Sequence, residues 1–187
     1  GKVNPSGKLP FSYPAKLEDC PAHFYGEISY PGDSIKQEYK EDILVGYRWY
    51  DTKKIKPLFP FGYGLSYTTF QYDKPVLSAK KVSMGESLSV SVKVKNIGTM
   101  AGKEAVQLYI GDEKCSLLRP QKELKGFKKI SLRPGEEKVV AFNIKPEDLQ
   151  FFDDSKHEWV AEPGKFKVYV TSSSANVDNV AEFMCVE

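Results

Sequence analysis

No apolar run in this chain approaches the roughly 18 residues that a membrane-spanning helix needs. The first residues also lack the basic-then-apolar pattern of a targeting peptide, so no membrane partner is expected. Cysteine is scarce, with only Cys20, Cys115 and Cys185 in 187 residues. Their odd number and wide spacing exclude a closed disulfide framework and a metal-ligand cluster, and leave a single bridge open. Neither sign of charge is in excess: 27 basic residues face 25 acidic ones, for a net of +2. That balance provides no bulk field to attract nucleic acid or an acidic membrane. The densest basic run, Lys122 to Lys129, is interrupted by Glu123, Leu124, Gly126 and Phe127, the pattern of a strand with one solvated face. The two histidines, His23 and His157, lie far apart with no nearby Cys or Ser arrangement. No triad, metal or cofactor is assigned.

What the chain does contain divides in two. Up to about Pro75 it is rich in Pro, Gly, Tyr and Phe without sustained periodicity. Beyond that, short runs alternate apolar and polar residues between turn residues. The length allows one domain of roughly 100 residues with a substantial extra segment. Asn4-Pro5-Ser6-Gly7 and Pro31-Gly32-Asp33-Ser34 are turns by their chemistry, and Lys8 to Tyr13 suits a short extended piece. Ile43 to Tyr50, with Val45, Tyr47 and Trp49 on alternate positions, predicts a strand. The first residues, without an initiator Met, read as the interior of a longer chain.

The second part predicts strands over Ser87 to Lys95, Glu104 to Ile110, Leu124 to Leu132, Lys138 to Ile144, Gly164 to Thr171 and Val180 to Val186. Leu88, Val90, Val92 and Val94 share one face of the first of these. Pro146 to Leu149 suits a single helical turn, and no helix longer than two turns is expected. About seven short strands with turns near every ten residues indicate a mainly β fold, an immunoglobulin or fibronectin type III-like β-sandwich.

Four stretches occur in the order found in glycoside hydrolase family 3, the β-glucosidase family. Asn4 to Pro10 resembles the last part of that family's α/β-sandwich domain, and Val45-Gly46-Tyr47-Arg48-Trp49-Tyr50-Asp51 the strand that follows. Phe59-Pro60-Phe61-Gly62-Tyr63-Gly64-Leu65-Ser66-Tyr67-Thr68-Thr69-Phe70 resembles the exit from it. Arg119-Pro120 with Lys122 to Phe127, then Leu132 to Glu136, resembles its fibronectin type III-like domain. The resemblance implies that 1–72 is the C-terminal tail of an α/β-sandwich domain with its linker, and 73–187 the fibronectin type III-like domain. It implies a parent enzyme that hydrolyses terminal β-glycosidic bonds, periplasmic or secreted by preference, with the missing N-terminal catalytic domains as this chain's partner and carbohydrate as the parent's substrate.

Retaining glycosidases hold two carboxyl groups about 5–5.5 Å apart across the scissile bond. The family's nucleophile is an Asp in a Ser-Asp-Trp setting, absent here, and its acid/base Glu precedes the Asn-Pro-Ser-Gly stretch. No catalytic residue is therefore assigned. Glu41-Asp42 and Asp153-Asp154 are chain neighbours whose side chains diverge in an extended backbone, and they read as solvated loop charges. Arg119 suits a local carboxylate partner. The aromatic group from Tyr47 to Tyr67 fits interdomain packing, with Tyr47 and Trp49 the candidate sugar contacts. A free-standing carbohydrate-binding or adhesive sandwich is the alternative reading, since the fold alone hosts many functions.

Overall fold

The alternation of Leu88, Val90, Val92 and Val94 is the seed of the core: each is at most 2% exposed, and together they form the inward face of one strand. The computed structural model describes all residues, 1–187. Its strands are β1 (Phe70–Tyr72), β2 (Val76–Leu77), β3 (Lys81–Ser83), β4 (Leu88–Asn96), β5 (Gly102–Asp112), β6 (Glu123–Leu132), β7 (Glu137–Ile144), β8 (Phe151–Asp153), β9 (Glu158–Val160), β10 (Gly164–Thr171) and β11 (Val180–Val186). Its helices are α1 (Pro21–Phe24) and α2 (Tyr47–Lys53), with short 3-10 turns at Leu17–Asp19 and Pro146–Leu149.

In the first sheet β4 is central, flanked by β7 on one edge and by β1 and β2 in succession on the other. The second sheet runs β3-β11-β10-β5-β6, antiparallel except where β3 meets β11. Between them lie Val90, Val92, Phe142, Val106, Leu108, Phe166, Val168 and Phe183, part of one continuous buried cluster. Phe166 and Phe183 stack at 5.4 Å. The predicted sandwich is present, and all six long predicted strands fall where the alternation placed them, within one or two residues at their ends. All three cysteines are free thiols.

One strand prediction fails. Tyr47 to Tyr50 lies in α2, not in a strand. The first half of the predicted strand is not extended either: Ile43 lies in a turn, Leu44 and Val45 are irregular, and Gly46 at φ +57° and ψ −135° leads into the helix; a run this short cannot distinguish a period of 2 from one of 3.6. In the helix, Tyr47 and Asp51 fall four residues apart on one face. Trp49 and Tyr50 turn instead into a small cluster with Leu44, backed by Tyr25 and Ile55.

β5 is buried on both sides. Glu104, Val106, Leu108 and Ile110 alternate with Gln107 and Tyr109, and all six are buried. Strand alternation puts these two sets on opposite faces, so something covers the outer face of the second sheet. That cover is the N-terminal segment.

Candidate functional site

The contact between the N-terminal segment and the outer face of the second sheet brings together most of the family-like residues. Leu9 to Tyr13 and Leu58 to Tyr63 run antiparallel. Leu9 N–H donates to the Tyr63 carbonyl and Gly62 N–H to the Leu9 carbonyl, both at 2.8 Å, and Tyr13 N–H donates to Phe59 at the same distance. Asn4 clamps the start of this pair: its Oδ1 accepts from Ser66 Oγ (3.0 Å) and Tyr67 N–H (2.9 Å), while its Nδ2 donates to the Ala101 carbonyl (2.9 Å). Asn-Pro-Ser-Gly and Phe-Pro-Phe-Gly-Tyr-Gly thus form two halves of one interlocked unit.

The two motif glycines allow close approach. A Cβ on Gly64 would sit 2.2 Å from the Gly7 carbonyl oxygen. One on Gly62, at φ +80°, would sit 2.4 Å from Gln107 Oε1. The Gln107 amide below it donates to the Ser172 carbonyl at 2.7 Å and accepts from the Tyr109 hydroxyl at 2.5 Å. Ser174 N–H donates to the Phe61 carbonyl at 2.9 Å. Because the Gly64 neighbour is backbone, Gly64→Ala must push the two segments apart and is expected to cost about 1–3 kcal/mol. Gly164→Ala, whose new Cβ finds only ordinary contacts at 3.9 and 4.0 Å, is the control. Equal urea midpoints for the two variants would show that the close approach is not required.

α2 lies beside this unit. Tyr47 packs on Phe61 at 4.9 Å and edge-on to Tyr109 at 5.7 Å, and its hydroxyl oxygen accepts from Leu124 N–H at 2.8 Å. One turn on, Asp51 Oδ2 meets Lys122 Nζ at 2.6 Å. The ammonium also lies 5.8 Å from the ring centres of both Tyr109 and Tyr169. Burial pushes the Asp51 carboxyl up from its ordinary value, and the Lys122 charge opposes that shift. Thr52 Oγ1 accepts from Gln121 N–H at 2.9 Å, securing the end of the helix.

Three expectations need correction. Lys122, read as part of a solvated strand face, is only 1% exposed: its partner Asp51 lies 71 residues away and arrives only with α2. Glu41 and Asp153, read as solvated loop charges, are buried, while their neighbours Asp42 and Asp154 are exposed. Asp153 Oδ1 accepts from Ser155 N–H and Oγ, and Oδ2 pairs with Lys156. Finally, the aromatic group read as interdomain packing is in part seated within this chain: Tyr47 packs on Phe61, and Gly62 lies against Gln107 of β5. Two other members of the Phe59 to Phe70 stretch do face outward, Leu65 at 69% and Tyr67 at 53% exposed, whereas Phe70 packs against the sandwich core.

The candidate sugar contacts are placed differently from one another. Trp49 is fully buried, with its indole N–H donating to the Asp19 carbonyl at 3.1 Å and Phe24 and Tyr25 edge-on against it. Tyr47 is half-buried, with ring and hydroxyl both engaged inside the chain. Arg119 has the local carboxylate partners expected of it, Asp112 at 3.3 Å and Glu123 at 3.1 Å, and also donates to the Leu149 carbonyl. Glu123 takes Arg48 at 3.2 Å as well. Burial tends to raise the Glu123 carboxyl, but Lys125, Arg119 and Arg48 together hold it below its ordinary value. Sequence reasoning did not single out Asp51, Gln107 or Tyr109. The only available signal was that β5 is apolar or amide-bearing at consecutive positions, the mark of a strand covered on both faces.

The comparisons with known proteins agree with this arrangement. The sequence matches the family described as fibronectin type III-like domain over residues 104–174. It is 69% identical over 187 residues to the Bacteroides ovatus protein named Beta-glucosidase BoGH3A, covering all of this chain and 25% of that one. Among solved structures, DesR, a β-glucosidase from Streptomyces venezuelae in complex with D-glucose, superposes with a TM-score of 0.89 at 41% identity, covering 98% of this chain and 23% of that one. The Bifidobacterium adolescentis GH3 β-glucosidase gives a TM-score of 0.89 at 34% identity, over 99% of this chain and 26% of that one. The chain thus spans about a quarter of the length of the relatives it matches, and in each the corresponding stretch is one part of a larger enzyme. Motif order, sandwich topology and these matches along its whole length agree that the chain corresponds to the C-terminal portion of glycoside hydrolase family 3 β-glucosidases, including their fibronectin type III-like domain.

Proposed function

We propose that this chain is the non-catalytic, stabilising part of an enzyme that hydrolyses terminal β-glycosidic bonds by a retaining two-carboxylate mechanism, and that it acts by packing against that enzyme's catalytic domains. The division we propose is 1–72 as the tail of an α/β-sandwich domain with its linker, and 73–187 as the fibronectin type III-like domain. The linker supplies β1, which pairs with β4 through Phe70, Gln71 and Tyr72. The observation that carries the reading is the two-sidedness of the N-terminal segment. One side is locked to the sandwich through Asn4, Gly62 and Asp51. Away from those contacts the large apolar side chains of Ile35, Tyr39 and Leu65 are 91%, 75% and 69% exposed, available to pack against another domain.

Two measurements test this. The purified chain is expected to leave an aryl β-glucoside intact, and hydrolysis by it would overturn the non-catalytic assignment. Leu65→Lys is expected to leave the urea midpoint of the isolated chain unchanged, because the side chain is exposed, and to lower the thermal midpoint of the whole enzyme by several degrees. Equal midpoints for the variant and wild-type whole enzymes would remove Leu65 from the interface. The placement of Tyr47 and Trp49 supports packing, with no ring face of Trp49 open to a sugar. A free-standing module is not better supported, since the relatives matched along nearly the whole chain are β-glucosidases.

A further inference from the structure

The ribbon of β8 and β9 carries a second feature, away from the packing of α2 on the sheet. Phe152 and Trp159 are partners across this ribbon, their rings meet edge to face at 5.6 Å, and Trp159 is 65% exposed. The ribbon's other face is fixed: Phe151 is buried with the Arg119 guanidinium 5.5 Å from its ring centre, and Asp153 is buried as well. A rigidly backed ribbon therefore presents an open indole. Beside it lies a cleft of about 590 Å³, to which Ile43, Leu118, Gln150 and Asp154 contribute. That volume falls within the roughly 300–1,000 Å³ of small-molecule clefts.

The charges in the cleft select the ligand. Its acids are Asp42, Glu123 and Asp154 and its bases Arg48, Arg119 and Lys125, which cancel. Most are already engaged: Glu123 holds Arg48 at 3.2 Å, Arg119 at 3.1 Å and Lys125 at 3.6 Å, and Asp42 accepts the Ile43 N–H at 2.7 Å. An ionic ligand would have to break these pairs, at the cost of leaving a partly buried charge alone. A neutral ligand rich in hydroxyls can bond to the same groups without separating them.

We infer that this cleft binds a neutral pyranose oligosaccharide with Trp159 as its stacking platform. A pyranose with equatorial hydroxyls has a flat face of C–H bonds that packs on an indole, and an edge of hydroxyls. The face lies on Trp159 and Phe152, and the edge meets the Gln150 amide and the Asp154 carboxylate. The inference does not depend on the packing role, because the cleft lies entirely within this chain and its test reads binding, not hydrolysis.

The test is titration of the 187-residue chain with cellotetraose, followed by tryptophan fluorescence and backbone amide shifts. Saturable binding with a dissociation constant near or below about 1 mM is expected, with shifts centred on Phe152, Trp159 and Gln150. Trp159→Ala is expected to weaken binding at least about tenfold while leaving the urea midpoint unchanged, since the side chain is exposed. Trp159→Phe should recover part of the affinity. Absence of saturable shifts, or equal affinity in Trp159→Ala, would overturn the inference. So would a loss of whole-enzyme stability in Trp159→Ala without any change in cellotetraose binding, which would make the ribbon a protein contact.

Discussion

Asp51→Ala is expected to lower the unfolding free energy of the chain by about 3–5 kcal/mol, because it leaves the Lys122 ammonium buried without its counter-charge. Lys122 is 1% exposed and Asp51 is its only carboxylate partner, at 2.6 Å. The rings of Tyr109 and Tyr169 on either side offset only part of that desolvation, of the order of 1–2 kcal/mol. The loss should appear first as release of α2 from the sheet. In hydrogen exchange, the amides of Leu124 and Gln121, bonded to Tyr47 Oη and Thr52 Oγ1, should lose protection before those of β4. Lys122→Met in the Asp51→Ala background should restore most of the stability, since an apolar side chain of similar length carries no charge to leave unpaired. A double variant no more stable than Asp51→Ala would mean that packing, not the charge, sets the cost.

Trp49→Ala is expected to cost about 3–5 kcal/mol, the range for removing a large buried aromatic side chain. Its indole fills the small cluster with Leu44 and Tyr50 and is touched by Phe24 and Tyr25. Truncation opens a cavity beneath α2 and leaves the Asp19 carbonyl without its donor. Trp49→Phe should cost less, because most of the volume is kept while the N–H is lost. Urea unfolding measures both, and fluorescence of the Trp49→Ala variant reports Trp159 alone. A variant of unchanged stability would place the ring outside the core and return it to the candidate sugar contacts.

The two effects have a common origin. α2 is held to the sheet by one face and to its own cluster by another, so either substitution loosens its seating between the N-terminal segment and the sandwich. On the reading proposed above, that segment stands between the sandwich and the catalytic domains. Loss of α2 contacts would therefore loosen the fibronectin type III-like domain without touching a catalytic group.

The six long strands were legible because each has one face in the core, and alternation at Leu88 to Val94 or Val140 to Ile144 records that fact residue by residue. The single helical turn at Pro146 to Leu149 was legible as well. The family was legible from four ordered motifs. α2 was not: Tyr47-Arg48-Trp49-Tyr50 satisfies strand and helix patterns equally, and what decides it is Gly46 at positive φ and two different surfaces to bury. The burial of Lys122, Glu41 and Asp153 was illegible for a related reason. A charged residue carries no local mark of the partner or cover that arrives from elsewhere in the chain.

The sandwich, its strand positions, the family resemblance and the absence of the family's nucleophile motif can all be read from residue order, because they depend on local periodicity and on the succession of motifs along the chain. It takes the folded chain to show that Asn-Pro-Ser-Gly and Phe-Pro-Phe-Gly-Tyr-Gly interlock, that Lys122 is a buried anchor for Asp51, and that Trp49 is enclosed while Trp159 is open. Those outcomes depend on which surfaces meet across 60 to 100 residues of chain, as in the Asn4 to Ser66, Asp51 to Lys122 and Asn4 to Ala101 contacts, separated by 62, 71 and 97 positions. Burial is set by that meeting and not by the residue's own type.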